Sequence, residues 1–111
     1  MKRLRYFFDP GSGVCLWAAS DSARKAFGYA VDHDALPLSA ATKAQLTELV
    51  TRFDASIDWD CPTERGPAWT MAAARDFLDD ADRGLRMLVD ELGSAGFEIV
   101  AEHRRATSAG A

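Results

Sequence analysis

PAWTMAAARDFLDDADRGLRMLVDELG, residues 67–93, predicts one long amphipathic helix around which the rest of the chain is arranged. Its apolar residues recur at the spacing of a single helical face. They are Phe77, Leu78, Ala81, Leu85, Leu88, Val89 and Leu92. Charged residues fall on the opposite side: Asp76, Asp79, Arg83, Arg86 and Asp90. At 1.5 Å per residue the helix would span roughly 40 Å, enough to cross a small sheet.

Both ends of this helix carry residues that are common at helix ends. Pro67 suits the first turn, where the N–H that proline lacks would be unpaired in any case. Gly93 stands at the position of a C-terminal cap, and Gly96 starts the next element. We therefore expect the helix to run from Pro67 to Gly93.

A second helix is predicted to begin near Ala40 and to end between Phe53 and Ile57. Ser39 is a good N-cap, because its hydroxyl can accept a hydrogen bond from a free amide of the first turn. Glu48 and Arg52 are four residues apart and should pair on the outer surface. The apolar face consists of Leu46, Leu49, Val50, Phe53 and Ile57.

Short alternating segments predict the strands. Residues 3–8 and 14–19 flank a loop rich in glycine and predict a hairpin. Residues 97–102 predict a closing strand, which returns most simply beside the first one. Residues 20–35 leave two alternatives open. We favour a strand at 28–31, with Gly28 marking a bulge or a close backbone approach, over a helical turn at 22–27.

The order β-β-(β)-α-α-β predicts an α+β fold. We expect a small antiparallel sheet with two helices packed on one face. The chain has 111 residues, enough for a core without metals or disulfides. Residues 1–103 should form a single domain, and residues 104–111 should form a flexible C-terminal tail.

The composition is that of a soluble, cytoplasmic protein. No apolar run reaches the roughly 20 residues that cross a bilayer, and the start lacks a long enough apolar stretch for a signal peptide. In that compartment Cys15 and Cys61 should stay reduced. The net charge is −4, whereas nucleic-acid binding usually requires a basic patch. We expect neither a nucleic acid nor a membrane as partner.

Residues with catalytic or metal-binding potential are few. Asp32-His33-Asp34 offers ligand atoms, but consecutive residues seldom point at one ion, and an exposed polar loop is the better interpretation. His103 falls in the closing strand, where a packed histidine is the usual case. Cys15 lies within a strand beside Trp17, as a buried inert thiol would. We therefore expect no catalytic residues, no metal and no cofactor.

Acidic residues dominate the middle of the chain. Residues 54–82 contain eight acids and two bases, Arg65 and Arg75. The acids are Asp54, Asp58, Asp60, Glu64, Asp76, Asp79, Asp80 and Asp82. Pairs four residues apart on the long helix should neutralise part of this charge. These pairs are Asp79–Arg83, Asp82–Arg86 and Arg86–Asp90.

The remaining acids predict a binding surface for a basic protein. Such a surface raises the association rate by electrostatic steering, although a solvated polar face is the simpler interpretation. Tryptophan is enriched at interface hot spots, and Trp59 lies among these acids, whereas Trp69 is expected to be buried. The predicted partner-binding residues are Asp58, Trp59, Asp60, Glu64 and Asp76.

Short motifs along most of the chain resemble those of small bacterial proteins of similar length. The motifs are Leu16-Trp17, Leu36-Pro37-Leu38-Ser39, Phe53-Asp54, Ile57-Asp58-Trp59-Asp60 with Pro62, and Glu91-Leu92-Gly93. Small acidic proteins of this kind are similar to the immunity proteins of contact-dependent inhibition and other toxin systems. The resemblance implies a cytoplasmic protein that binds and neutralises one cognate toxin, often a basic nuclease. It assigns no role to any residue.

A non-catalytic binding protein is the leading hypothesis, and two alternatives stay open. The first is a structural or regulatory module that associates with itself through a sheet edge or the helix flank that carries Met87. The second and less favoured is a small hydrolase that uses Cys15, Cys61 or a histidine. The sequence leaves the partner, the binding face and the oligomeric state open.

Overall fold

The computed structural model describes residues 1–61, 66 and 69–104. Within them the chain forms a four-stranded sheet, three α-helices and two short 3-10 helices, His33–Ala35 and Gly93–Ala95. The strands and α-helices are β1 (Lys2–Tyr6), β2 (Leu16–Ala18), α1 (Asp21–Phe27), β3 (Ala30–Val31), α2 (Ala40–Ala55), α3 (Met71–Leu92) and β4 (Phe97–Ala101). The predicted α+β class is confirmed.

The sheet has the strand order β3-β2-β1-β4. The hairpin of β1 and β2 is antiparallel, and β4 lies beside β1, both as predicted. However, β4 runs parallel to β1, so the sheet is mixed and the expectation of an antiparallel sheet is wrong for this pair. A parallel neighbour requires a long crossover connection, which the helices between β3 and β4 supply.

Residues 20–35 contain both of the structures that the sequence left as alternatives. Ser20 caps α1, because its hydroxyl accepts from the N–H of Ala23. The strand that follows, Ala30–Val31, is shorter than the predicted one. Gly28 has a φ of 81°, and a Cβ there would meet nothing within 4 Å. This glycine therefore permits the turn after α1, and the predicted bulge or close approach is wrong.

The two long helices begin at hydroxyl caps. Ser39 caps α2 as predicted, by accepting from the N–H of Thr42. The start of α3 is Met71 rather than Pro67, because Thr70 accepts from the N–H of Ala73 and sets the first turn there; Pro67 itself lies outside the described residues. At the other end Gly93 is the C-cap but keeps right-handed geometry. Gly96, with a φ of 88°, ends the following 3-10 turn.

Helices α2 and α3 pack on the sheet face that carries Leu4 and Tyr6, as predicted. The buried residues of α3 are Phe77, Ala81, Gly84, Leu88 and Leu92. Leu78 and Leu85 are half-buried against this core. Val89 was predicted on the same face but is 48% exposed, because it lies at the margin of the apolar stripe.

Gly84 allows α3 to approach the sheet and α2 closely. The buried hydroxyl of Tyr6 donates a hydrogen bond to the carbonyl of Ala81 at 2.9 Å. A Cβ on residue 84 would lie 2.9 Å from that hydroxyl oxygen and 3.1 Å from Cδ1 of Leu49. Both contacts are shorter than ordinary van der Waals separations, so only glycine fits without movement of its neighbours.

We expect Gly84→Ala to destabilise the protein by about 1–2 kcal/mol, since overpacking outweighs the better helix propensity of alanine. Urea unfolding measures the change. Gly93→Ala is the matched control, because a Cβ there meets nothing within 4 Å and the backbone is right-handed, so its stability should equal or exceed that of the wild type. A Gly84→Ala protein as stable as the wild type would contradict the close-approach argument.

Candidate functional site

The loop after α2 holds Trp59 at the surface. Asp58 Oδ1 accepts the N–H of Asp60 at 3.0 Å, which closes a tight turn around the tryptophan. The indole Nε1–H donates to the carbonyl of Asp54 at 3.1 Å, and the ring lies against Gly11. Trp59 is nevertheless 54% exposed. An indole that is fixed on one side and open on the other suits an interface anchor.

A cavity of about 340 Å³ lies where the last turn of α2 meets the first turns of α3. Its described lining residues are Arg52, Ala55, Ser56, Trp69, Ala73 and Asp76. Trp69 is half-buried rather than fully buried as predicted, and it meets the ring of Phe77 edge-on with centroids 5.7 Å apart. The cavity and the Trp59 loop adjoin the same end of α2, because both contact its last turn.

Two acids of the central segment, Asp80 and Asp82, pair with cations or histidine from other elements, and Asp80 pairs in addition with a neighbour on α3. Asp80 binds Arg52 at 2.6 Å and Arg83 at 3.0 Å. Asp82 binds Arg104 at 2.5 Å and His103 at 2.6 Å. The predicted Glu48–Arg52 pair is present but longer, at 3.9 Å.

The three ion pairs predicted along α3 are wrong. Arg83 binds Asp80, three residues away, instead of Asp79. Asp79 lies 3.6 Å from Arg104, and Asp82 also turns toward the residues after β4. Arg104 therefore replaces the predicted helical partners of Asp79 and Asp82, whereas Arg83 pairs within α3 at a spacing of three instead of four.

Three of the predicted partner-binding acids have no cationic partner in the part of the chain that the structure describes. Among residues 1–61, 66 and 69–104, no Lys, Arg or His nitrogen lies within 4.0 Å of the carboxylates of Asp58, Asp60 or Asp76. Glu64 lies outside the described residues. We call Asp58, Trp59, Asp60 and Asp76 the acidic face. The sequence did not predict the cavity, because its small wall residues carry no local signal.

The surroundings of the two histidines and of the buried Cys15 favour a structural role over a catalytic one. His33 Nε2 lies 3.1 Å from Thr47 Oγ1 and 4.0 Å from Asp34 Oδ1. A catalytic triad needs the hydroxyl and the carboxylate on different ring nitrogens, and here both face one. His103 is 3% exposed and packed, as predicted, but it lies after β4 and not within the closing strand. Burial raises the pKa of the Cys15 thiol to about 12, which disfavours the nucleophilic thiolate.

The Asp32-His33-Asp34 segment brings one potential ligand atom from each residue within 4.8 Å of the others. Asp32 Oδ1 is already used, since it accepts the N–H of Asp34 at 2.9 Å and caps the 3-10 turn. Asp34 is exposed. These contacts describe a polar 3-10 turn, and its interpretation as a polar loop instead of a metal site stays a prediction.

The chain thus has the form of a small α+β protein with an acidic, tryptophan-bearing end. A comparison with known protein families matches residues 2–100 to the Serratia CdiI immunity protein-like family. The chain belongs to that family, which confirms the resemblance to immunity proteins of contact-dependent inhibition. Among curated proteins none matches it. Family membership indicates an immunity role and the binding of a cognate toxin, and immunity proteins of this family are generally non-catalytic.

The helices give no sign of a membrane span. None of those in the described residues combines the length and the hydrophobicity that crossing a bilayer needs.

Asp82 should make the stability of the folded protein depend on pH in the acid range. The guanidinium of Arg104, together with His103, holds the pKa of Asp82 below its usual range. A carboxyl group whose pKa is lowered by folding stabilises the folded state at pH values above its pKa in the unfolded chain, about 3.9. This stabilisation is lost as the pH falls through the pKa of the group in the folded protein.

We expect Asp82→Asn to lose less stability than the wild type between pH 6 and pH 3 in urea unfolding. Asp90→Asn, at an exposed acid, should keep the wild-type dependence, and identical profiles for Asp82→Asn and wild type would contradict the assignment.

Proposed function

We propose that this protein neutralises its cognate toxin by covering the toxin's active or substrate-binding surface with the acidic face. The observation that carries the proposal is the exposed Trp59 between Asp58 and Asp60, two carboxylates with no cation within 4.0 Å among the described residues. The family match over residues 2–100 supports a toxin as the partner.

A basic toxin fits this surface best. Unpaired carboxylates attract a positively charged partner and raise its association rate, while a desolvated tryptophan slows dissociation. Nucleases carry basic surfaces, since they bind phosphate backbones. A basic nuclease is therefore our proposed partner, and the acidic face would occupy the surface that otherwise binds nucleic acid.

The proposed mechanism needs no catalytic step and no cofactor. Inhibition follows from occupancy alone, because a toxin whose substrate surface is covered cannot bind its substrate. The protein would act in the cytoplasm, where a nuclease toxin meets its substrate. Asp58 also closes the turn that presents Trp59, so this residue would both shape the surface and contribute charge.

The test is binding to the cognate toxin domain and protection of cells against it. We expect Asp58→Asn/Asp60→Lys to lower the association rate about tenfold at low salt and to flatten its salt dependence. Asn at position 58 keeps an acceptor for the turn. The matched control is Asp34→Asn/Asp90→Lys, which changes the net charge equally at exposed sites elsewhere and should bind nearly as the wild type does.

Surface plasmon resonance at several salt concentrations gives the rates, and growth of cells that express the toxin gives the protection. Equal association rates for the two double variants would contradict an acidic binding face. Absence of any binding by the wild type would contradict the proposed function itself.

Self-association is the second candidate function, and the sheet face opposite α2 and α3 favours it, although Trp17 on this face is itself buried. Trp17, Arg5 and Val100 lie side by side across the face opposite α2 and α3. Tyr29 covers the edge of Trp17 with ring centroids 5.3 Å apart and is 54% exposed. In addition, β4 lies at the edge of the sheet, where strands can pair with another chain.

Light scattering between micromolar and millimolar concentration separates the two candidates. The immunity proposal expects a monomer throughout, because its interface is reserved for the toxin. A dimer that Tyr29→Lys dissociates would instead support self-association through the sheet face. Asp34→Asn, which raises the net charge by the same single unit at an exposed site, is the control and should leave the oligomeric state unchanged.

A further inference from the structure

The cavity between α2 and α3 has an aromatic wall and an acidic side. Trp69 supplies a flat ring that contact with Phe77 holds in place. Ala55 and Ala73 add only methyl groups, which leaves the volume of about 340 Å³ open. A long side chain with a planar cationic end can stack on an indole while its methylene groups fill an apolar recess.

The charges around the cavity favour a cation over an anion. Arg52 is the lining cation, but its guanidinium binds Asp80 at 2.6 Å and lies 5.6 Å from the centre of the Phe77 ring. Asp80 also binds Arg83, and Glu48 lies 3.9 Å from Arg52. Among the described lining residues, Asp76 is therefore the acid without a cation within 4.0 Å, and an anionic ligand would have to displace Asp80 from Arg52.

We propose that this cavity receives an arginine side chain of the toxin, with its guanidinium paired to Asp76 and stacked on Trp69. The assignment of the toxin as the source rests on the proposed function, whereas the preference for arginine rests on the cavity. A guanidinium can donate two hydrogen bonds to a carboxylate and stack at the same time, which the compact ammonium of lysine does less well. The cavity adjoins the same turn of α2 as Trp59, so one partner can reach both.

The cavity can be tested without the toxin, by NMR titration of the ¹⁵N-labelled protein. The probe is acetyl-Gly-Arg-Gly-amide at low salt, and the isosteric citrulline peptide is the uncharged comparison. The Trp69 indole signal, assigned with Trp69→Phe, should shift and saturate with the arginine peptide only. Asp76→Asn should weaken this binding about fivefold or more, and Asp90→Asn, at another exposed acid of α3, should leave it unchanged.

Equal shifts with the arginine and citrulline peptides would overturn the proposal, as would unchanged affinity in Asp76→Asn. Because Asp76 is exposed and has no ion pair among the described residues, its replacement should preserve the fold, which the remaining amide signals report directly. Stronger binding of inorganic phosphate than of the arginine peptide would also overturn it.

Binding to the toxin then separates the cavity proposal from the proposed function. We expect Asp76→Asn to weaken the complex and to couple, in a double-mutant cycle, with one toxin arginine changed to alanine. Toxin binding that is equal for wild type and Asp76→Asn would overturn the cavity proposal alone. A wild-type protein that does not bind the toxin would overturn the proposed function, and with it the toxin as the source of the arginine.

Discussion

The contact between Tyr6 and α3 is the constraint on which the rest of the structure depends. Tyr6 lies on β1, a central strand, and its buried hydroxyl needs a hydrogen-bond partner, because an unsatisfied one costs about 1–3 kcal/mol. The carbonyl of Ala81 provides that partner, and the missing side chain of Gly84 provides the room. This arrangement fixes the position of α3 along the sheet, and therefore fixes where its first turns meet the end of α2.

The two long helices are fastened at one end and leave space at the other. Near the C-terminal end of α3, the Glu91 carboxylate accepts the N–H of Ser39 at 2.6 Å and the hydroxyl of Thr42. These hydrogen bonds lower the pKa of Glu91, and the bond from Thr42 contributes most. The carboxylate of Glu91 on α3 therefore holds the start of α2 in place. At the opposite end small residues leave the cavity beside Trp69. The candidate binding surface therefore lies at the end where this cavity separates the two helices.

Local patterns in the sequence predicted the elements better than their connections. Hydroxyl capping and apolar spacing placed α2 and β4 because these signals act within one turn or one strand. The start of α3 was wrong because the preference for Pro67 in a first turn is weaker than the capping bond that Thr70 makes. The helical ion pairs were wrong for a related reason: Arg104 comes from outside α3 and binds Asp82 more closely than a neighbour on the helix does.

The residue types in the sequence predict an acidic candidate site, but they do not predict which of the acids belong to it. Counting acids gave one broad patch, whereas the structure divides it in two. Asp80 and Asp82 bind cations that connect separate elements, so changing them would disturb the fold. Asp58, Asp60 and Asp76 have no such partner among the described residues, and Asp60 and Asp76 are exposed. A protein that must match one particular toxin can vary such residues at little cost in stability, which is why we assign recognition to this second group.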